Sequence, residues 1–168
     1  MARTKTPARP RQNAEAQLAA FIRKFEPKHQ TLIRAVRRAL RARFPTACEM
    51  VYDNYNFFVI GYSPTERPSD AVVSIAAGAS GAGLCFIQGA RLPDPRKILL
   101  GSGKQTRFIR LESAAVLARA EVKALVAAAV AQSKAPFPKA GRGTLIIKSV
   151  SAKQRPRRKS TARPRGLG

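Results

Sequence analysis

The chain has 168 residues, a length that fits one domain, and 45% of them are hydrophobic, enough for a core. It carries 32 Lys and Arg against 9 Asp and Glu, a net charge of +23. An excess of that size concerns partners and solubility rather than architecture, and it admits nucleic acid, an anionic membrane surface or an acidic protein.

The two cysteines, Cys48 and Cys85, belong to no CxxC, which excludes a zinc ribbon and a dithiol redox motif. They read as reduced core thiols. The most apolar run, "ALVAAAVA" at 124–131, is too short to span a bilayer. The opening "MARTKTPARPR" is basic, but no apolar signal region follows it. A cytoplasmic, soluble protein is expected.

Charge divides the chain. Residues 1–11 form a basic arm without acids, and residues 151–168 a basic tail without acids. Between them, 12–150 reads as one moderately basic domain. From Lys153 on, almost nothing apolar is present, so the tail is expected to be disordered alone.

The domain begins helical. In "NAEAQLAAFIRKF", Leu18, Phe21, Ile22 and Phe25 recur at helical spacing. Pro27 breaks that helix and opens a second, "KHQTLIRAVRRALRARF". Its apolar stripe is Leu32, Ile33, Val36, Leu40 and Phe44, and Arg34, Arg37, Arg38 and Arg41 share the opposite face. "EMVYDNYNFFVIGYS" alternates as a strand, with Val51, Tyr55, Phe57 and Val59 predicted on one face. "AVVSIAA" and "LCFIQG" follow as strands joined by a glycine turn, "GASGAG". "DPRKILL" reads as a short helix capped by Asp94, "TRFIRLE" as a strand, and "RAEVKALVAAAVAQS" as a last helix with Val122, Leu125, Val126 and Val130 inward. "GTLIIKSV", 143–150, reads as one more strand or as an ordered start to the tail. The expected fold is α+β, a mainly antiparallel sheet of about five strands with helices on one face.

The tetrapeptide GSGK at 101–104 suggests a phosphate loop. A Walker loop needs glycine where Ile98 stands and Ser or Thr where Gln105 stands, and it lies between a strand and a helix. Gly101 instead suits a left-handed backbone position. A weaker anion site of backbone N–H groups, with Lys104 and Arg107 beside it, is the alternative.

With Leu92, Asp94, Pro95, Leu100, Gly101, Gly103, Lys104 and Arg107 in place, the chain resembles the YdhG-like family of bacterial domains of unknown function, which are often compared with frataxin. The motif runs G-x-x-L-x-DP-x-x-x-L-x-G-x-GK-x-x-R from Gly89 to Arg107, and the likeness covers roughly residues 28–158. It implies an antiparallel sheet backed by helices and little about activity. One branch is linked to iron handling, which needs hard oxygen ligands. No helix of this chain presents an acidic ridge.

Two candidate sites follow. The first is nucleic-acid binding by the basic arms without reading sequence, through Arg3, Arg9 and Arg11 and the run from Lys153 to Arg165 that holds Arg155, Arg157, Arg158 and Lys159, aided by the Arg34, Arg37, Arg38 and Arg41 face of the second helix. The second is an anion, small-ligand or metal site on the sheet near Tyr52, Asp53, Tyr55, Gly101, Gly103, Lys104 and Arg107. Glu49 and Asp53, four apart, would share a strand face there. The lone His29 has no second His to pair with. No catalytic residue, cofactor or resident metal is assigned, and a non-enzymatic domain is expected.

Overall fold

A computed structural model describes residues 10–160. Helix α1 spans Pro10–Ile22 and α2 spans Pro27–Arg43. Strands β1 (Cys48–Asp53), β2 (Phe58–Ser63), β3 (Val73–Gly78) and β4 (Gly81–Phe86) form a meander, and β5 (Arg107–Leu111) extends it. Helix α3 (Ala120–Ala131) then returns the chain to β6 (Thr144–Val150), which lies parallel to β1. The strand order is β5-β4-β3-β2-β1-β6. The parallel pair arises because β6 arrives by a crossover through α3, whereas the other neighbours are joined by reversals.

The sheet therefore has six strands rather than about five, and it is mixed. The extra strand comes from "DNYN", where Asn54 to Phe57 make a turn closed by Asn54 N–H donating to the Phe57 carbonyl. Asn is at home in such turns, and the turn resets the alternation. Val51 thus faces the same way as its partner Ile60, while Tyr52 pairs with Val59 on the other side. The predicted grouping of Val51 with Val59 does not hold.

One face of the sheet is covered by helices. Val51, Phe58, Ile60, Tyr62, Val73, Ile75, Leu84, Phe86, Ile109 and Leu111 form a single cluster with Leu18, Phe21, Ile22 and Phe25. Ile33, Val36, Leu40 and Phe44 of the second helical stripe join it, as do Val122, Leu125 and Val126 of α3. Burial of each such side chain is worth roughly 1.5–3 kcal/mol, which is how helices with no side-chain caps hold their places. The β3–β4 turn is a glycine hairpin as read, with Gly81 at φ +134. The helix expected over "DPRKILL" is absent. Asp94 instead caps a turn, its carboxylate accepting the N–H groups of Ile98 and Leu99 at 3.0 Å. Pro10 and Arg11, placed in the basic arm, begin α1, and the remaining arm residues lie outside the described residues.

Candidate nucleic-acid interface

The Gly89–Arg107 motif is a loop closed on itself. Gly89 lies where any Cβ would stand 2.6 Å from the Cβ of Arg107, so only glycine fits. Leu92 is buried in the core, and Leu100 pairs with Phe108 by two backbone hydrogen bonds. Gly101 takes φ +114, a value L side chains rarely adopt. The Arg107 guanidinium donates to the carbonyls of Gly103 and Thr106. These carbonyl contacts close the loop from within. Among the motif residues, Gly103 faces open space and Lys104 is exposed.

The residues proposed for the sheet site are not brought together. The Gly101–Arg107 loop adjoins β5, while Tyr52, Asp53 and Tyr55 belong to β1 and its turn, with β4, β3 and β2 between them. Tyr52 and Asp53 also point to opposite faces. Glu49 and Asp53 do share one face, as their spacing requires, but they are buried under the helices rather than solvated. Each carboxylate has its own cations.

Glu49 accepts from Arg37 Nε at 2.9 Å and from the Tyr62 hydroxyl at 2.9 Å, with Arg41 at 3.6 Å. Arg37 also bonds Glu15 through both terminal nitrogens. Burial acts to lower the Arg37 pKa, but the hydrogen bonds it donates to Glu49 and Glu15 hold it well above its usual value. Arg37 is therefore a tertiary clamp between α1, α2 and β1. Its acids come from other elements, and sequence spacing along one helix gave no sign of them.

Burial, followed by the charge of Glu49, raises the Tyr62 hydroxyl well above its usual pKa. Burial likewise raises Cys48, Cys85 and Tyr52. A proton held more tightly in the folded chain gives stability that is complete below the unfolded pKa and is lost as pH rises past it. Stability should therefore decline from about pH 8.5, where unfolded cysteines ionise, and more steeply above about 10, where tyrosines do. Tyr62→Phe removes one hydrogen bond to a charged acceptor, costing about 1.5–3 kcal/mol near neutrality, and should flatten the decline above pH 10. Urea denaturation at pH 8 and pH 10.5 measures both effects. An unchanged alkaline decline in the variant would contradict this assignment.

Asp53 anchors the C-terminal segment. Arg157, 4% exposed, donates to Asp53 Oδ1 at 2.9 Å and to the Asn54 carbonyl. Lys24 reaches Asp53 Oδ2 at 2.7 Å. Gln154 bonds the Asp53 carbonyl, Ser151 N–H bonds the same carbonyl, and Arg155 N–H bonds that of Tyr55. Residues 151–158 thus dock on the β1–β2 turn and the end of α1, where a disordered tail was expected. Composition misled because the segment is held by polar contacts rather than apolar burial. Arg157, expected on a nucleic acid, is an internal anchor. Burial acts to raise the Asp53 carboxyl, but hydrogen bonds from Lys24 and Arg157 hold it below its usual range.

Docking brings the surviving arginines into line. Arg158 donates to the carbonyls of Lys24 and Arg23. Gln30 donates to the same Arg23 carbonyl and receives Arg34 Nη1. Arg34, Arg38 and Arg41 then follow along one exposed face of α2, about 10 Å from first to last. Arg155, within the docked segment, and Lys159, just after it, are exposed as well. Arg34, Arg38, Arg155, Arg158 and Lys159 have no carboxylate within salt-bridge distance among the described residues, and all nine acids of the chain fall within those residues. A groove of about 360 Å³ between α1 and α2 runs beside this stripe. Among the described residues, no group of three or more His, Cys, Asp or Glu is placed to hold a metal, and no helix is long and apolar enough to cross a membrane. No protein-family model, curated protein or solved structure matches the chain.

Proposed function

We propose that this chain is a non-catalytic, YdhG-like domain that binds nucleic acid through phosphate contacts along the Arg158–Arg34–Arg38–Arg41 stripe. What supports the reading is the line of exposed guanidinium groups in which Arg34, Arg38 and Arg158 have no carboxylate within salt-bridge distance among the described residues. Guanidinium presents planar, paired donors that match phosphate, and fixed guanidinium groups lose less freedom on binding than a floppy tail would. Arg41, shared loosely with Glu49 at 3.6 Å and Glu15 at 4.0 Å, retains donors for a phosphate at the end of the line.

Phosphate contacts position a duplex without reading it. Two unrelated duplexes of equal length should therefore bind with affinities within about twofold. Anisotropy titration with labelled strands measures this. A preference above about tenfold would contradict a backbone-only mode, since each specific base pair contributes about 1–3 kcal/mol.

A further inference from the structure

The sheet face turned away from the helices has a floor of small residues. Across it, Val59 pairs with Ala76, Ala76 with Gly83 and Gly83 with Arg110. In the next row Gly61, Ser74, Cys85 and Phe108 are successive partners. Phe57, 54% exposed, stands at one end, its ring 3.6 Å from where a Cβ on Gly78 would be. Phe108, half-buried, stands on β5 at the other. Strands β2 and β5 are three ladder spacings apart, about 14 Å. A cavity of about 840 Å³ wraps the β3–β4 hairpin end of the sheet, lined on this face by Phe57, Ala76, Gly83, Phe108 and Arg110 and reached from the helix-covered side by Lys28 and His29 of α2.

We infer that this trough takes unpaired bases, so the protein prefers a single-stranded nucleic acid to a duplex. The inference rests on the nucleic-acid reading above and deepens it. A flat base needs a floor without bulky side chains, and Gly83 and Ala76 provide one. It gains affinity by stacking on an exposed ring, at Phe57 and Phe108. The phosphates on either side need cations; Arg110 stands beside Gly83 on this face, and Lys28 stands past the hairpin end on α2. Glu112, also at the rim, is an acceptor for exocyclic amino groups. Bases stacked inside a duplex cannot reach this floor. The turn that carries Phe57 also carries Tyr55, half exposed, with the Arg155 guanidinium 5.8 Å from its ring. One strand can therefore pass from the trough over this turn to the docked basic segment.

The chain has no Trp, so Phe57→Trp installs a single fluorescent reporter. The full chain carrying it is titrated with a mixed-sequence 20-nucleotide DNA strand and with the duplex of that sequence, at one salt concentration. The single strand should quench the reporter and bind about tenfold or more tightly than the duplex. Phe57→Leu, which keeps bulk but removes the ring, should weaken single-strand binding about fivefold or more and leave duplex binding unchanged. Equal affinity for both forms without quenching, or equal weakening of both by Phe57→Leu, would overturn the inference while leaving phosphate binding intact. Binding of neither form at low salt would overturn the nucleic-acid reading and this inference together.

Discussion

Between 50 and 200 mM salt, the affinity of the full chain for a random duplex should fall about a thousandfold. The magnitude follows from the number of cations in line. In the proposed mode, Arg34, Arg38, Arg41, Arg155, Arg158 and Lys159 would make about six phosphate contacts. Each contact releases condensed counterions, so the logarithm of affinity falls with that of salt at about 0.9 per contact. Six contacts over a fourfold rise in salt give about 10³. Arg3, Arg9 and the other cations outside the described residues would steepen the slope toward the 10⁵ of ten contacts. A slope of one or two would mean that the stripe does not meet phosphates as a unit, and that the net charge of +23 acts only through solubility.

Cutting the Asp53–Arg157 pair should release the C-terminal segment and destabilise the fold. Asp53→Ala leaves a guanidinium that is 2% exposed without its carboxylate, and its Nε and Nη1 already lack hydrogen-bond partners. Breaking a buried pair by removing one member costs about 3–5 kcal/mol. Here the segment can lift off and carry Arg157 into water, which caps the loss. Arg157→Ala should cost less, because Lys24 still meets Asp53 at 2.7 Å. Both variants should be cut faster by trypsin after Lys153 and Arg158 than the parent chain, because the docked backbone there is released. Asp53, whose carboxyl is held low in the fold, contributes stability that is present above its unfolded pKa of about 4 and is lost as pH falls through its folded value. Asp53→Asn should flatten that acid limb. Urea midpoints and trypsin time courses unchanged in Arg157→Ala would contradict the docked segment. A chain ending at Val150 would remove Arg157 and Gln154 from Asp53, so it tests stability as well as binding.

Local pattern made the helices legible. The apolar stripes read for the three helices are buried except Leu32 and Val130, which are partly buried at the core's edge, because helical period and burial go together. The glycine hairpin and the left-handed Gly101 followed from backbone sterics. The split of "EMVYDNYNFFVIGYS" was missed because alternation on both sides of a turn looks like one long strand, although the two asparagines were a usable sign. What stayed hidden was long-range electrostatics. Arg37 meets acids 22 and 12 residues away, and Arg157 meets one 104 residues away. Charge patterning along one helix cannot reveal such pairs: the sequence presents four equivalent arginines, and the fold makes Arg37 a clamp and Arg41 a partial partner and leaves Arg34 and Arg38 without a carboxylate among the described residues. The candidate sheet site failed for the same reason, since Asp53 and the Gly101–Arg107 loop lie at opposite sides of the sheet.

The central claim is that the position of the cations, rather than their number, makes the binding surface. The most direct test reverses two charges on the stripe, Arg34→Glu with Arg38→Glu, and two away from it, Arg91→Glu with Arg96→Glu. All four residues are exposed, and both double variants have the same net charge. Salt titrations of duplex binding should show the stripe variant weakened about a hundredfold or more with a salt slope lower by about two, and the control close to the parent chain. Equal losses in the two variants would show that the chain binds by overall charge alone, and the stripe would cease to be a site.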